Sequence, residues 1–281
     1  MPISSKDCVN HEILREIITQ DYVKIQNDIE KFLKDSVLEN KADGVIFGLS
    51  GGIDSAIIAY LSAKIFGKKA LALVMPDSTV SPSSETGDAL KIIGELGIDY
   101  KLIDIDVIHK IYSNYLEPEK RALGNLRARI RANIIYYYAN LKNLLVLGTS
   151  DKSEYSIGYF TKFGDGCADL LPISNLYKTQ IREFAKILGI PDNIITKKSS
   201  PNLWKDHDAE MNRDKIKIYI NGIQISEEGK SISFHYQSVL SALNNFNVDI
   251  KIDLGLGLGR GIAWGSDLTE EYVIFNSAYT T

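Results

Sequence analysis

The string Ser50-Gly51-Gly52-Ile53-Asp54-Ser55 follows an apolar run, Val45-Ile46-Phe47-Gly48-Leu49, and opens a helical stretch from about Asp54 to Ile65. Glycines let a backbone turn sharply and approach a ligand closely. Successive N–H groups in such a turn form an anion-binding concavity, and the helix N-terminus adds partial positive charge. The hydroxyls of Ser50 and Ser55 are then expected to donate to phosphate oxygens. Phosphate would repel the carboxylate of Asp54 unless a divalent cation lay between them, which points to Mg²⁺. An isolated SGG fits equally well a strand-to-helix turn capped by Asp54. The whole string behind a buried strand favours phosphate binding. It is not a Walker A loop, which needs a lysine near its end.

A second chemically dense segment is Gly148-Thr149-Ser150-Asp151-Lys152-Ser153-Glu154, continuing through Tyr159-Phe160-Thr161-Lys162-Phe163-Gly164-Asp165-Gly166-Cys167-Ala168-Asp169. It reads as a loop rich in hydroxyls, charges and glycines. Glu154 could complete a metal site with Asp54, and Lys162 and Asp169 could contact a polar, phosphate-bearing substrate. A solvated surface loop would explain the polarity but not the interleaved Tyr159, Phe160 and Phe163. Exposed aromatics in a loop commonly mark a binding surface.

Both segments need a scaffold. Val45–Leu49, Ala70–Met75, Tyr100–Ile105 and Leu144–Gly148 read as apolar strands. Helices are expected over about 11–40, 54–65, 83–96 and 121–141, the first with an apolar stripe including Val23, Ile29 and Phe32. In the last, Leu126, Ile130, Ile134, Tyr137 and Leu141 share a face. Buried strands alternating with helices indicate an α/β fold, a parallel sheet covered by helices on both faces. Ligands in such sheets bind beyond the carboxyl ends of the strands. After about residue 210 the texture changes to alternating strands, with Asn221-Gly222 as a hairpin turn. A domain of residues 1–210 is therefore expected to precede a small β-rich module of 211–281, with one helix over about 236–246.

The Ser50–Ser55 string resembles the pyrophosphate-binding loop of the N-type ATP pyrophosphatases. With GTSDKSE at 148–154 and GYFTKFGDG at 158–166, the chain over about residues 12–210 resembles ammonia-dependent NAD synthetase. That resemblance implies a Rossmann-like fold of the adenine nucleotide alpha hydrolase type. It implies ATP contacts from Gly48, Leu49, Ser50, Gly51, Gly52, Ile53, Asp54, Ser55, Thr149, Lys178 and Ser200. Asp54 and Glu154 would share Mg²⁺, while Arg129, Lys162 and Asp169 would hold deamido-NAD. Asp165 and Lys162 are candidates for handling ammonia and its protons. The implied reaction joins ammonia to the nicotinic acid carboxylate of deamido-NAD after adenylylation by ATP, in a homodimer. Only 49 residues precede Ser50, too few for a glutamine-hydrolysing domain, so free ammonia, or ammonia from a separate protein, is the expected donor.

The family's closing His-Lys pair has no counterpart near the end of this sequence, whose one His-Lys dipeptide, His109-Lys110, lies mid-chain. Without the closing pair, a nucleotide-binding fusion protein impaired in catalysis is the alternative. The end instead resembles the C-terminus of glutamate N-acetyltransferase, through Asp253-Leu254-Gly255, Ala263–Thr269 and Asn276–Thr281. Asn276 and Thr281 match that family's substrate contacts, but its threonine nucleophile has no counterpart, so acetyl transfer is not expected.

Composition agrees with an ordinary globular protein: 44% hydrophobic and 24% charged residues provide a core without staples. A net charge of −4 gives no reason to expect a nucleic-acid or membrane partner. Cys8 and Cys167 cannot form a disulfide framework. No apolar run approaches bilayer-spanning length and the start lacks a secretory layout, so a cytoplasmic protein is expected.

Overall fold

The structure is a computed structural model that describes residues 19–197, 203, 217–227, 230–231, 235–243 and 249–253. Its contacts divide the chain into two units, Met1–His207 and Asp208–Thr281. In the first unit, helix α1 (Tyr22–Glu39) leads into β1 (Gly44–Gly48), α2 (Ile53–Phe66), a short 3-10 turn (Gly67–Lys69) and β2 (Ala70–Val74). Then come α3 (Ser83–Leu96), β3 (Asp99–Leu102), α4 (Asp106–Ser113), α5 (Lys120–Lys142) and β4 (Leu144–Leu147). Helices α6 (Lys152–Ile157), α7 (Lys178–Ile187) and α8 (Asp192–Ile195) complete it.

The four strands form a parallel sheet in the order β3-β2-β1-β4. Strand side chains alternate between faces, and each face has its own core. Val45, Phe47, Ala72, Val74 and Leu147 pack with α2, α3 and α7 residues such as Ile57, Ile92 and Phe184. Ile46, Leu71, Leu73 and Val146 face the other way, against Ile130 and Ala139 of α5. This is the expected parallel sheet covered on both sides.

Two apolar stripes differ from expectation. Helix α1 begins at Tyr22, where Asp21 caps it by accepting from the Lys24 N–H at 2.9 Å, and the expected helical residues 11–18 lie outside the described residues. It buries Ile29 and Leu33, while Val23 and Phe32 are exposed. On α5, Ile130 is buried but Tyr137 and Leu141 face solvent. Its buried face also carries Arg127 and the small residues Gly124, Ala128, Ala132 and Ala139, which let the helix lie close to its neighbours. The expected third strand is shorter, ending at Leu102.

The second unit is an antiparallel sheet of order β7-β6-β5-β8, from β5 (Lys217–Ile220), β6 (Ile223–Glu227), β7 (Lys230–Ser231) and β8 (Ile250–Asp253), with helix α9 (Tyr236–Leu243). The β5–β6 turn has φ 46° at Asn221 and 78° at Gly222, the positive pair a two-residue hairpin of this twist requires. The expected contacts Ser200, Asn276 and Thr281 lie outside the described residues.

Candidate functional site

Strand β1 has β2 and β3 on one side and β4 on the other. The chain order reverses there, and such a switch point opens a crevice beyond the carboxyl ends of the two neighbouring strands. The segments leaving β1 and β4 flank that crevice. This topology makes Asp54 and Glu154 neighbours, although a hundred residues separate them in sequence.

The loop after β1 is held open by its own hydroxyls. Ser55 Oγ donates to the Gly52 carbonyl at 3.0 Å and accepts from the Ser50 N–H at 3.2 Å. The Gly52 N–H donates to Ser50 Oγ at 3.2 Å. Ser55 is buried, and its hydroxyl braces the loop from within. Gly51 sits at φ 84°, and a Cβ there would collide with the Glu85 carbonyl oxygen of α3. Only glycine allows this turn to nest so closely against α3. Lys197 pins the same turn: its Nζ donates to the Gly51 carbonyl at 3.2 Å and to Asp88 Oδ2 at 2.6 Å. Helix α2 then begins, and its first N–H groups, which lack preceding helical carbonyls, lie beside the turn.

Across the crevice, the segment expected as a loop contains helix α6. Asp151 caps it, accepting from the Glu154 N–H at 2.8 Å in a reciprocal capping box. The capping pattern D-x-x-E was readable in sequence, but the density of polar residues concealed it. The N-terminus of α7 is tied to α6: the Lys178 N–H donates to Ser153 Oγ at 3.0 Å, and the Lys152 N–H donates to the Leu176 carbonyl at 2.9 Å.

These caps bring four charged side chains together. Lys178 Nζ lies 3.0 and 2.9 Å from the two oxygens of Asp54, 3.1 Å from Glu154 Oε1 and 2.9 Å from Asp151 Oδ2. Burial alone would lower the pKa of Lys178, but the three carboxylates outweigh it and raise it. Burial also pushes Glu154 up to about 7, with Asp54 and Asp151 adding to the rise and Lys178 opposing it. Asp54 is raised too, chiefly by burial. Three carboxylates facing one ammonium leave a net deficit of positive charge.

That deficit bears on the expected metal. Among the described residues no three acidic, histidine or cysteine side chains form a ready-made metal cage. Mg²⁺, however, is commonly held by one or two carboxylates together with substrate phosphates. Asp54 and Glu154, half-buried oxygen donors short of counter-charge beside an anion-binding turn, fit a cation that arrives with a nucleotide.

The remaining expected residues are less concentrated. Gly48 and Leu49 end the strand, with the Leu49 N–H donating to the Leu73 carbonyl at 2.9 Å. Thr149 is half-buried at the start of the β4 exit. Arg129 is exposed, its Nε donating to the Lys162 carbonyl at 3.2 Å, and Lys162 Nζ lies 5.1 Å above the Phe163 ring. Asp165 accepts the Thr161 N–H at 2.8 Å. Asp169 accepts from the Val146 N–H at 2.8 Å and the Tyr136 hydroxyl at 3.1 Å, so it braces the end of β4. Among the three aromatics, Phe160 stacks on Tyr155 at 5.7 Å and packs over Gly166, whereas Phe163 is exposed.

Two arginines of α5, Arg127 buried and Arg131 half-buried, were not foreseen. Arg127 Nε pairs with the wholly enclosed Asp77 at 2.5 Å, and its Nη1 donates to the Leu203 carbonyl at 2.9 Å. One turn on, Arg131 Nε donates to the Met75 carbonyl at 2.9 Å, at the carboxyl end of β2. The i, i+4 spacing of these arginines was visible, but Asp77, the partner of Arg127, is fifty residues away.

Comparison with known proteins agrees with this geometry. The family model NAD synthase matches residues 25–231, and the ArgJ family model matches residues 205–281. The NH(3)-dependent NAD(+) synthetase of Hyperthermus butylicus is 48% identical over 200 residues, covering 70% of this chain and 72% of the relative. The solved NH3-dependent NAD synthetase of Campylobacter jejuni superposes with TM-score 0.61 at 38% identity, over 63% of this chain and 78% of that one. An NMN synthetase from Francisella tularensis superposes with TM-score 0.65 at 33% identity, over 80% of this chain and 92% of that one. Together with the glycine turn and the carboxylate–lysine cluster at the switch point, the match over residues 25–231 shows that the chain belongs to the NAD synthase family.

Proposed function

We propose that this chain catalyses ATP-dependent amidation of deamido-NAD with ammonia, giving NAD, AMP and pyrophosphate through an adenylylated carboxylate. The observation that carries this reading is the meeting of Asp54, Glu154 and Lys178 beside the glycine turn at the switch point. A carboxylate resists ammonia because it is negative and lacks a leaving group. Attack of a carboxylate oxygen on the α-phosphorus of ATP expels pyrophosphate and creates a mixed anhydride. Ammonia then adds to the carbonyl carbon and AMP departs. Alignment of the reactants and neutralisation of phosphate charge are the tasks left to the protein.

The turn from Ser50 to Asp54 would receive the pyrophosphate end of the nucleotide, and Lys178 would offset its charge. A Mg²⁺ ion held by Asp54 and Glu154 would supply further charge neutralisation at the departing phosphates. Thr149 and Ser200 remain assigned to the nucleotide, and Arg129, Lys162 and Asp169 to deamido-NAD. For Asp169 this assignment draws on the acceptor capacity left after its bonds to Val146 and Tyr136. Asp165 and Lys162 are assigned to the ammonia and its protons. We assign the protein to the cytoplasm as a homodimer. Among the described residues no helix is long and apolar enough to cross a membrane.

The test supplies deamido-NAD, ATP, Mg²⁺ and ammonium and measures NAD and AMP. Equal yields of both support the reading; ATP binding without AMP release supports the impaired fusion protein instead. The Francisella relative motivates a parallel arm. If the nicotinic acid mononucleotide is amidated faster than deamido-NAD, the substrate is the mononucleotide.

A further inference from the structure

The carboxylates around Lys178 are not equivalent. The Asp151 side chain is wholly enclosed, whereas those of Asp54 and Glu154 are 18% and 31% exposed. One oxygen of Asp151 is committed to capping α6, and the other lies 2.9 Å from Lys178 Nζ. An enclosed carboxylate requires a compensating charge at all times, because an uncompensated buried ion is strongly destabilising. Asp54 and Glu154 can exchange their counter-ion with solvent more readily. The lysine backbone is fixed by the Ser153 hydroxyl, so only its side chain is free to redistribute. Lys178 thus has an inner partner that it cannot leave and an outer pair that it can.

We propose that Lys178 is the resident counter-ion of the Asp54–Glu154 pair, displaced when a divalent cation takes that pair. Asp151 is the positioning residue that keeps the displaced ammonium beside the nucleotide's phosphates. The inference rests on the reading of this crevice as an ATP site. A divalent cation arriving alone must compete with a tethered ammonium for the same oxygens. A cation arriving with a nucleotide does not, since the phosphates give the ammonium new partners. The arrangement couples metal binding to nucleotide binding.

The experiment titrates the full chain with Mn²⁺ alone, following free ion by electron paramagnetic resonance, with and without a non-hydrolysable ATP analogue. Without nucleotide, Lys178→Met should bind Mn²⁺ at least about tenfold more tightly than wild type, because one like charge at contact distance has been removed. Lys178→Arg should stay as weak as wild type. With the analogue, the gap should close. Lys178→Gln serves in place of a methionine variant that fails to fold. Equal Mn²⁺ affinity in wild type and the neutral variants overturns the proposal. Asp151→Asn retains the helix-capping oxygen, so it should raise the KM for ATP at least about tenfold with a smaller change in kcat. An unchanged KM, or equal losses in KM and kcat, overturns the positioning role. If wild type forms no NAD, the enzymatic reading fails while the Mn²⁺ ranking still decides the exchange. If NAD forms and the ranking is flat, only the exchange fails.

Discussion

Replacing Arg127 by methionine should be among the most damaging single changes away from the nucleotide turn. The substitution removes the guanidinium that pairs with Asp77 at 2.5 Å while keeping a long apolar stem. Asp77 is 0% exposed and would keep only the Thr79 amide and hydroxyl as donors to its carboxylate. Breaking a buried pair by removing one partner costs about 3–5 kcal/mol. In a unit of this size each kcal/mol lowers the melting temperature by roughly 2–4 °C, so a fall of roughly 6–20 °C is expected. The pH dependence should change as well. In the wild type, burial would raise the Asp77 pKa, but Thr79 and Arg127 hold it below the ordinary carboxylate value. Its stabilising contribution is therefore complete above pH ~4 and is lost as pH falls through that depressed pKa. Without Arg127, less opposes the effect of burial and the pKa rises, so the stability gap between variant and wild type should narrow as pH drops from 7.5 to 5. Urea unfolding at both pH values, for Arg127→Met and for Arg127→Met with Asp77→Asn, reads all of this. The double variant should recover most of the loss. A single-variant cost under about 1 kcal/mol, or a double variant no better than the single, would refute the reasoning.

Three further outcomes are expected. Asp54→Asn should lower Mg²⁺-dependent NAD formation by at least about a hundredfold, and a steady-state Mg²⁺ titration showing wild-type turnover would remove this residue from the cation site. Gly51→Ala introduces a methyl group against the Glu85 carbonyl at a φ of 84°, so ATP affinity should fall at least about tenfold, with about 1–2 kcal/mol of backbone strain. Isothermal calorimetry and a thermal melt check the two parts separately. Glu154 has a folded-state pKa of about 7, above its unfolded value. The ligand-free protein should therefore lose stability as pH rises from about 4.5 through 7, by about 3 kcal/mol at most, its melting temperature dropping by up to roughly 6–12 °C, and Glu154→Gln should flatten that dependence.

The parallel sheet was legible because β1, β2 and β4 are apolar throughout, and their alternate residues feed two separate cores. The glycine turn was legible for a local reason: Ser50 to Ser55 is contiguous, and its backbone demands are met by neighbours in sequence. Residues 148–154 announced polarity but not helix, because the cap between Asp151 and Glu154 competes with the appearance of a loop. What composition could not supply was long-range pairing. Asp151 was passed over: its D-x-x-E spacing marks a helix cap, but nothing local marks it as a partner of Lys178. Lys197 and Arg127 likewise gain meaning only when folding brings Gly51, Asp88 and Asp77 to them. Asp169 illustrates the opposite case: a carboxylate expected at a ligand also braces the end of β4.

Adenylylation requires that one of the acid's own oxygens pass to the nucleotide. Deamido-NAD carrying ¹⁸O in both carboxylate positions, incubated with ATP, Mg²⁺, ammonium and this protein, decides it by mass spectrometry. Adenylylation predicts one ¹⁸O atom in each AMP released and the other in the amide of NAD. AMP without label, or labelled orthophosphate accompanied by ADP, would contradict attack at the α-phosphorus and with it the role given to the glycine turn.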